Sequence, residues 1–281
     1  MKAAIVGMGL IGGSFARAFK TMTDWEVFAE NRSRNVLDKA KEVGAIDGEL
    51  TPEKLRECDL IIVALYPQRL IEWLERNAEN ISEKAVVIDT CGVKQAVCEP
   101  CWKIAKEHGF TFIGAHPMAG VEHSGFDYSK ADMFRNASMI LVPNEDTTNE
   151  KTEWVESVSR GLGFTKIVIT TPFEHDRMIA FTSQLAHVVS SAYVQSPCAL
   201  NHKGFSAGSY RDMTRVATLN EDMWTELFLD NSDTLADQVD ELVEMLQKYG
   251  EAIRNKNAVV LKELLRNGRI RKEQADGKYL K

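Results

Sequence analysis

The chain opens with "MKAAIVGMGLIGGSFARAF", a short apolar run followed by Gly7, Gly9 and Gly12 and then by apolar residues at helical spacing. Strand, glycine-rich turn and helix in that order confine the start of the fold to a βαβ unit whose backbone wraps a phosphate-bearing ligand. Gly7 permits the tight turn, Gly9 lets the backbone approach a pyrophosphate, and Gly12 lets helix and strand pack closely. The helix that begins at Leu10 and Ile11 turns its unpaired N–H groups and its positive dipole end toward the phosphates.

A second strand, "WEVFAENRS", arrives at the right distance for a dinucleotide fingerprint, and its end governs which cofactor fits. Glu30 is placed to hydrogen-bond the adenosine ribose, which favours NAD, whereas Asn31, Arg32 and Ser33 form a turn that tolerates the extra phosphate of NADP. Neighbouring strand residues face opposite ways, so Glu30 and Asn31 cannot both address the ribose from one side. The reading favours NAD, with NADP as the alternative. Leu65, in the apolar strand "CDLIIVALYP" that ends at Pro67, completes the expected cofactor-binding set.

Apolar strands and amphipathic helices go on alternating through "AVVIDTCGVK", "FTFIGAHP", "ASMILVP" and "FTKIVIT", with "NEDTTNEKTE" read as a surface loop before the helix "WVESVSRGLG". Such alternation describes an α/β fold: a Rossmann-type doubly wound sheet over residues 1–170, with ligands outside the carboxyl ends of its strands. After about residue 170 no β-type run appears. Residues 171–281 are therefore expected to be all-helical, a substrate-binding and dimerisation domain whose apolar stripes support a homodimer; "LADQVDELVEMLQKYGEAIRNKNAVVLKELLRNG" reads as one long helix or two.

Composition narrows the partners. With 34 Lys and Arg against 41 Asp and Glu among 281 residues, the net charge of −7 offers no basic footprint for nucleic acid or an anionic membrane. No apolar run is long enough to span a bilayer. The odd count of 5 cysteines fits free thiols in a reducing, cytoplasmic setting. Cys98 and Cys101 have C-x-x-C spacing, but no second ligand pair accompanies them, and their segment reads as a helix interrupted near Pro100; no metal site is expected.

Among the 6 histidines, His116 stands apart, because it closes a strand at its carboxyl end, is followed by Pro117, and has Gly120 nearby. His108 suits a helix C-terminus, His202 reads as loop and His123 as solvent-facing. His175 and His187 share one helical stretch and are left between the cleft and a purely structural role. Arg211 and Arg215, four apart with Asp212 between them, place two guanidinium groups on one helical face, suited to gripping carboxylates.

Taken together, "GMGLIGGS", "AHPMAG" with Glu122 and "SG", "EHD", "SQLAH", and "YRDMTRVA" followed by Trp224 resemble the prephenate and arogenate dehydrogenase family of tyrosine biosynthesis over essentially the full length. The resemblance implies that His116 is the catalytic residue and that Arg215 binds a substrate carboxylate. It implies further that Glu122, Arg211 and Asp212 gate or line the pocket, with Ser183 and His187 also on the substrate side. The expected reaction is oxidative decarboxylation of prephenate with NAD, with arogenate as the alternative substrate. Two departures stand out. Gly92 occupies the position where the family carries a serine that hydrogen-bonds the histidine, so that a water, Thr90 or a backbone group would have to replace it. Gln184 occupies that of a family histidine, and both changes are expected in the pocket. Rival readings are a β-hydroxyacid dehydrogenase, disfavoured for want of a suitably placed lysine, and an NAD(H)-binding sensor without turnover.

Overall fold

A computed structural model describes residues 1–121 and 123–277. Within them the chain divides into two compact units, Met1–Asn231 and Ser232–Lys281.

The first unit is built on an eight-stranded sheet in the order β3-β2-β1-β4-β5-β6-β7-β8. Its strands are β1 (Lys2–Val6), β2 (Glu26–Glu30), β3 (Gly48–Glu49), β4 (Leu60–Val63), β5 (Val86–Asp89), β6 (Thr111–Pro117), β7 (Ser138–Val142) and β8 (Lys166–Ile169). Helices α1 (Leu10–Met22), α2 (Arg34–Glu42), α3 (Pro52–Glu57), α4 (Pro67–Asn77), α5 (Gln95–His108) and α6 (Asn149–Gly161) make the connections. The central strands are fully buried runs of Val, Ile, Leu and Ala, the pattern of a sheet covered on both faces. Phe15, Phe19, Phe134 and Phe164 fill one face, and Trp73, Leu74 and Phe112 the other. β3 is two residues long, too short to register as a periodic run.

One pairing departs from the parallel rule. β7 runs antiparallel to β6, with His116 opposite Ile140. Among the described residues of 118–137 there is a short 3₁₀ turn at Phe126–Tyr128 and no crossover helix, so the chain is not carried back to the amino edge of the sheet. That segment therefore stays at the carboxyl edge. It is pinned on α1: the Lys130 N–H donates to Ser14 Oγ at 3.0 Å, Arg17 Nε donates to Ser129 Oγ at 2.9 Å, and the Arg17 guanidinium lies over the Phe126 ring.

Two local expectations are corrected. α5 continues through Pro100, because the proline is the sixth helical residue and removes one hydrogen bond only one turn inside the N-terminus. α6 begins inside the polar tract, where Thr148 accepts the N–H of Lys151 as an N-cap.

Beyond β8, Thr171 and Pro172 form an N-cap and first helical residue in a pattern that favours helix initiation. There follow α7 (Pro172–Ile179), a π-helical turn (Ala180–Gln184), α8 (Leu185–Val194), α9 (Gly208–Thr214) and α10 (Glu221–Leu229). The second unit holds α11 (Ser232–Arg254) and α12 (Ala258–Ala275). The long helical run is thus two helices, separated where Lys256 adopts φ +49° and Asn257 caps the second by accepting the N–H of Val260.

Candidate active site

The fingerprint turn has the geometry of a phosphate cradle. Gly7 has φ +88°, and a Cβ there would lie 2.4 Å from the Ala64 carbonyl oxygen and 2.9 Å from Leu65 Cδ2, which places Leu65 against the turn. A Cβ on Gly12 would lie 1.9 Å from the Gly7 carbonyl oxygen. Gly9 is different: it precedes α1 with no side-chain cap, and a Cβ there would meet nothing within 4 Å. The first N–H groups of α1, at Leu10 and Ile11, thus open onto room for a pyrophosphate. These residues fit a dinucleotide.

At the ribose end, Glu30 and Asn31 do face opposite ways. Asn31 Oδ1 accepts the N–H of Met8 at 3.0 Å, and its Nδ2 donates to the Ser33 carbonyl, so that side chain braces the fingerprint turn. Glu30 Oε2 accepts from the indole Nε1 of Trp73, leaving Oε1 as the second acceptor. Arg32 and Ser33 are exposed.

His116 is half-buried at the carboxyl end of β6. Its Nδ1 lies 2.9 Å from Nε2 of His175, whose Nδ1 lies 2.6 Å from Asp176 Oδ1. Asp176 is fully buried, and it is fixed by backbone donors at the start of α5: the Lys94 N–H to Oδ1 at 2.7 Å and the Gln95 N–H to Oδ2 at 2.8 Å. The sequence left His175 undecided; in the structure it is the partner of His116. Burial, reinforced by neighbouring His175 and Lys94, holds the His116 pKa well below the ordinary histidine value. Burial also lowers that of His175, against the opposing hydrogen bond to Asp176.

Beneath this chain lies a buried ion pair. Lys94 Nζ is 2.5 Å from Asp89 Oδ2 and also donates to the carbonyls of Cys91 and Val93, while Asp89 Oδ1 accepts the Ala115 N–H. Burial works most strongly against the charge on Lys94, but Asp89 together with Cys91 and Cys98 outweighs it and the lysine pKa is raised. The pair links β5, the turn into α5, and the residue before His116.

On the helical side, His187 Nδ1 donates to the Ser183 carbonyl at 2.9 Å, which leaves Nε2 as an acceptor. Its ring stacks on Trp224 at 3.9 Å between centroids. Burial lowers the His187 pKa, and the positive charge of Arg215 adds to that after the opposing bond to Ser183. Arg215 thus lies within electrostatic reach of His187. Arg211 lines a groove of about 490 Å³ with His202, Ser206 and Tyr210, and Asp212 is exposed beside it. Glu122 lies outside the described residues.

The two departures resolve differently. Gly92 packs near Leu227, and a Cβ there would sit 3.5 Å from Leu227 Cδ2, an ordinary contact. Gln184 is not a pocket residue. It is 2% exposed, its Nε2 donates to the Leu227 carbonyl at 2.9 Å, and its Oε1 accepts from Asn231 Nδ2 at 2.7 Å. Both ends of the amide are used in tying α10 to the π-helical turn. Of the other histidines, His123 stacks on Tyr128 and His202 on Tyr210. Cys98 and Cys101 are buried free thiols whose pKa values are pushed up by burial, the opposite of a reactive pair.

A dinucleotide fold carrying a neutral histidine at a strand's carboxyl end defines a nicotinamide-dependent dehydrogenase. Residues 15–170 match the family model "Prephenate dehydrogenase, nucleotide-binding domain" and residues 171–267 match "Prephenate dehydrogenase, dimerization domain". The chain belongs to the prephenate dehydrogenase family. It is 28% identical over 282 residues to a prephenate dehydrogenase of Bacillus subtilis, covering 97% of this chain and 75% of that one. It is 28% identical over 269 residues to a cyclohexadienyl dehydrogenase of Zymomonas mobilis, covering 92% and 91%. Among solved structures, arogenate dehydrogenase from Synechocystis superposes with a TM-score of 0.85 at 28% identity, covering 98% of this chain and 100% of that one. Prephenate dehydrogenase from A. aeolicus, in complex with hydroxyphenyl propionate and NAD+, gives 0.84 at 25% identity, covering 98% of each.

Proposed function

We propose that this chain catalyses the NAD+-dependent oxidative decarboxylation of prephenate to 4-hydroxyphenylpyruvate in tyrosine biosynthesis, with arogenate as the alternative substrate. The observation that carries the reading is His116, half-buried at the carboxyl end of β6 and kept neutral by its surroundings. An imidazole in that state accepts a proton at neutral pH.

Residues 1–170 hold the cofactor, with Gly7, Gly9, Leu10, Ile11, Gly12 and Leu65 around the phosphates and Glu30 on the ribose. NAD+, when bound, supplies the hydride acceptor. His116 takes the proton of the substrate's ring hydroxyl as the hydride leaves the same carbon. When the ring carboxylate departs as carbon dioxide, its electron pair completes the aromatic ring and passes charge to that oxygen, to which His116 returns the proton. Arg215 grips a substrate carboxylate, and His187 offers Nε2 on the same side, with Ser183, Arg211, Asp212 and Glu122 completing the substrate region. Residues 171–281 also form the homodimer. Exposed Val259, Ile253 and Leu265 in that region supply apolar surface for pairing.

The test is formation of reduced cofactor from NAD+ with prephenate and then with arogenate. Turnover is expected with at least one; binding of NADH without turnover of either would favour the sensor. His116→Asn is expected to abolish turnover while leaving NADH binding intact, and Arg215→Ala to act mainly by raising KM. Near-normal kcat in His116→Asn would remove His116 as the base.

A further inference from the structure

We propose that His175, backed by Asp176, is the positioning residue that selects the proton-accepting tautomer of His116, the task left open by the glycine at position 92. The proposal rests on the reading of His116 as the base.

The tautomers follow from the far end of the chain of contacts inward. Asp176 receives backbone N–H donors on both oxygens, and a backbone N–H can only donate, so this carboxylate is an acceptor throughout. Its 2.6 Å neighbour, His175 Nδ1, must therefore carry the hydrogen. In neutral His175 that leaves Nε2 with a lone pair, and Nε2 is the atom facing His116 Nδ1 at 2.9 Å. The bond exists only if His116 carries its own hydrogen on Nδ1. His116 Nε2 is left as the basic atom, and with both rings neutral no other assignment satisfies every contact.

Burial makes the arrangement firm. The side chains of His175 and Asp176 have no exposure, so neither exchanges its partner for water. Asn231 adds a further tie, donating to the Asp176 carbonyl at 3.0 Å. The charged groups around the pair are Asp176 on α7, Lys94 before α5 and Asp89 on β5, and the last two neutralise each other.

The lone pair of His175 binds an imidazolium more strongly than an imidazole. His175 thus acts on His116 both through this hydrogen bond and through its own nearby ring, and its removal changes the proton affinity of His116. The experiment is steady-state kinetics on His175→Leu and His175→Gln over a range of pH, with NADH binding followed by fluorescence. In His175→Leu, kcat is expected to fall about 100-fold, with KM and NADH affinity within about twofold of the parent. The acid limb of kcat/KM should shift. His175→Gln, whose amide oxygen can still accept from His116 Nδ1, should recover about tenfold of the lost kcat and stay below the parent. A parental kcat in both variants, or equal losses with an unmoved acid limb, would overturn the proposal. If His175→Leu fails to bind NADH, His175→Gln decides alone: a reduced kcat with a shifted limb supports the positioning role, and an unchanged enzyme refutes it. Activity in His116→Asn would instead sink the underlying assignment of the base, so the two failures are distinguishable.

Discussion

The indole Nε1 of Trp73 donates to Glu30 Oε2 at 2.9 Å, so a buried residue of α4 orients the one acid at the end of β2. If Glu30 reads the ribose, Trp73→Phe keeps the ring and removes the hydrogen bond. A bond to a charged acceptor is worth about 1.5–3 kcal/mol. We expect the preference for NAD+ over NADP+, measured as the ratio of kcat/KM values, to fall by roughly tenfold, with most of the change in the KM for NAD+. An unchanged ratio would show that the ribose is read by something else.

The glycines of the fingerprint separate two kinds of damage. Gly12→Ala places a methyl 1.9 Å from a backbone oxygen, so both thermal stability and NADH affinity should fall. Gly9→Ala meets no protein atom within 4 Å and should melt close to the parent while losing NADH affinity, because its methyl occupies the space of the pyrophosphate. Comparison of the two melting curves with and without NADH checks this.

Lys94 and Asp89 are a buried pair with no exposed side-chain surface. Replacing only the lysine leaves a carboxylate uncompensated in the interior. Lys94→Met is expected to cost about 3–5 kcal/mol in denaturant unfolding. The double variant Lys94→Met, Asp89→Leu should be less damaging than the single one.

The pH dependence of stability has a definite sign. His116, His175 and His187 all have pKa values lowered in the folded chain, with burial the first cause in each. The unfolded chain therefore binds protons on these groups first, starting near the ordinary histidine value of about 6.5. Their neutral-state contribution is intact above that pH and is lost as the pH falls toward the lower folded values. Melting temperature should be flat from pH 8 to 7 and decline from about 6.5 downward; replacing His175 by Gln should flatten the decline.

Much of this was legible in the sequence because it rests on local rules. The glycine spacing, the strand alternation and the change of period after residue 170 each report a backbone requirement confined to a few neighbours. His116 could be singled out because a strand end and a following proline are both local. The role of His175 could not, since it depends on α7 meeting the start of α5 across roughly 80 residues of chain, and helical periodicity fixes only which face a residue occupies. Gln184 misled for the same reason. Its neighbours in sequence suggested a pocket, whereas its partners, the Leu227 carbonyl and Asn231, lie on and just after α10. The antiparallel turn of β7 was hidden because an apolar pentapeptide reads the same in either direction.

Asp176 caps the start of α5 and at the same time anchors the proton chain of His116. The first helix after the sheet is therefore riveted to it at the point where the proton is handled. Lifting that helix to admit a substrate would break the contacts that set the hydrogen positions on His175 and His116, the proposed base. Entry and release would have to leave α7 in place, as a fixed frame for that chain of contacts.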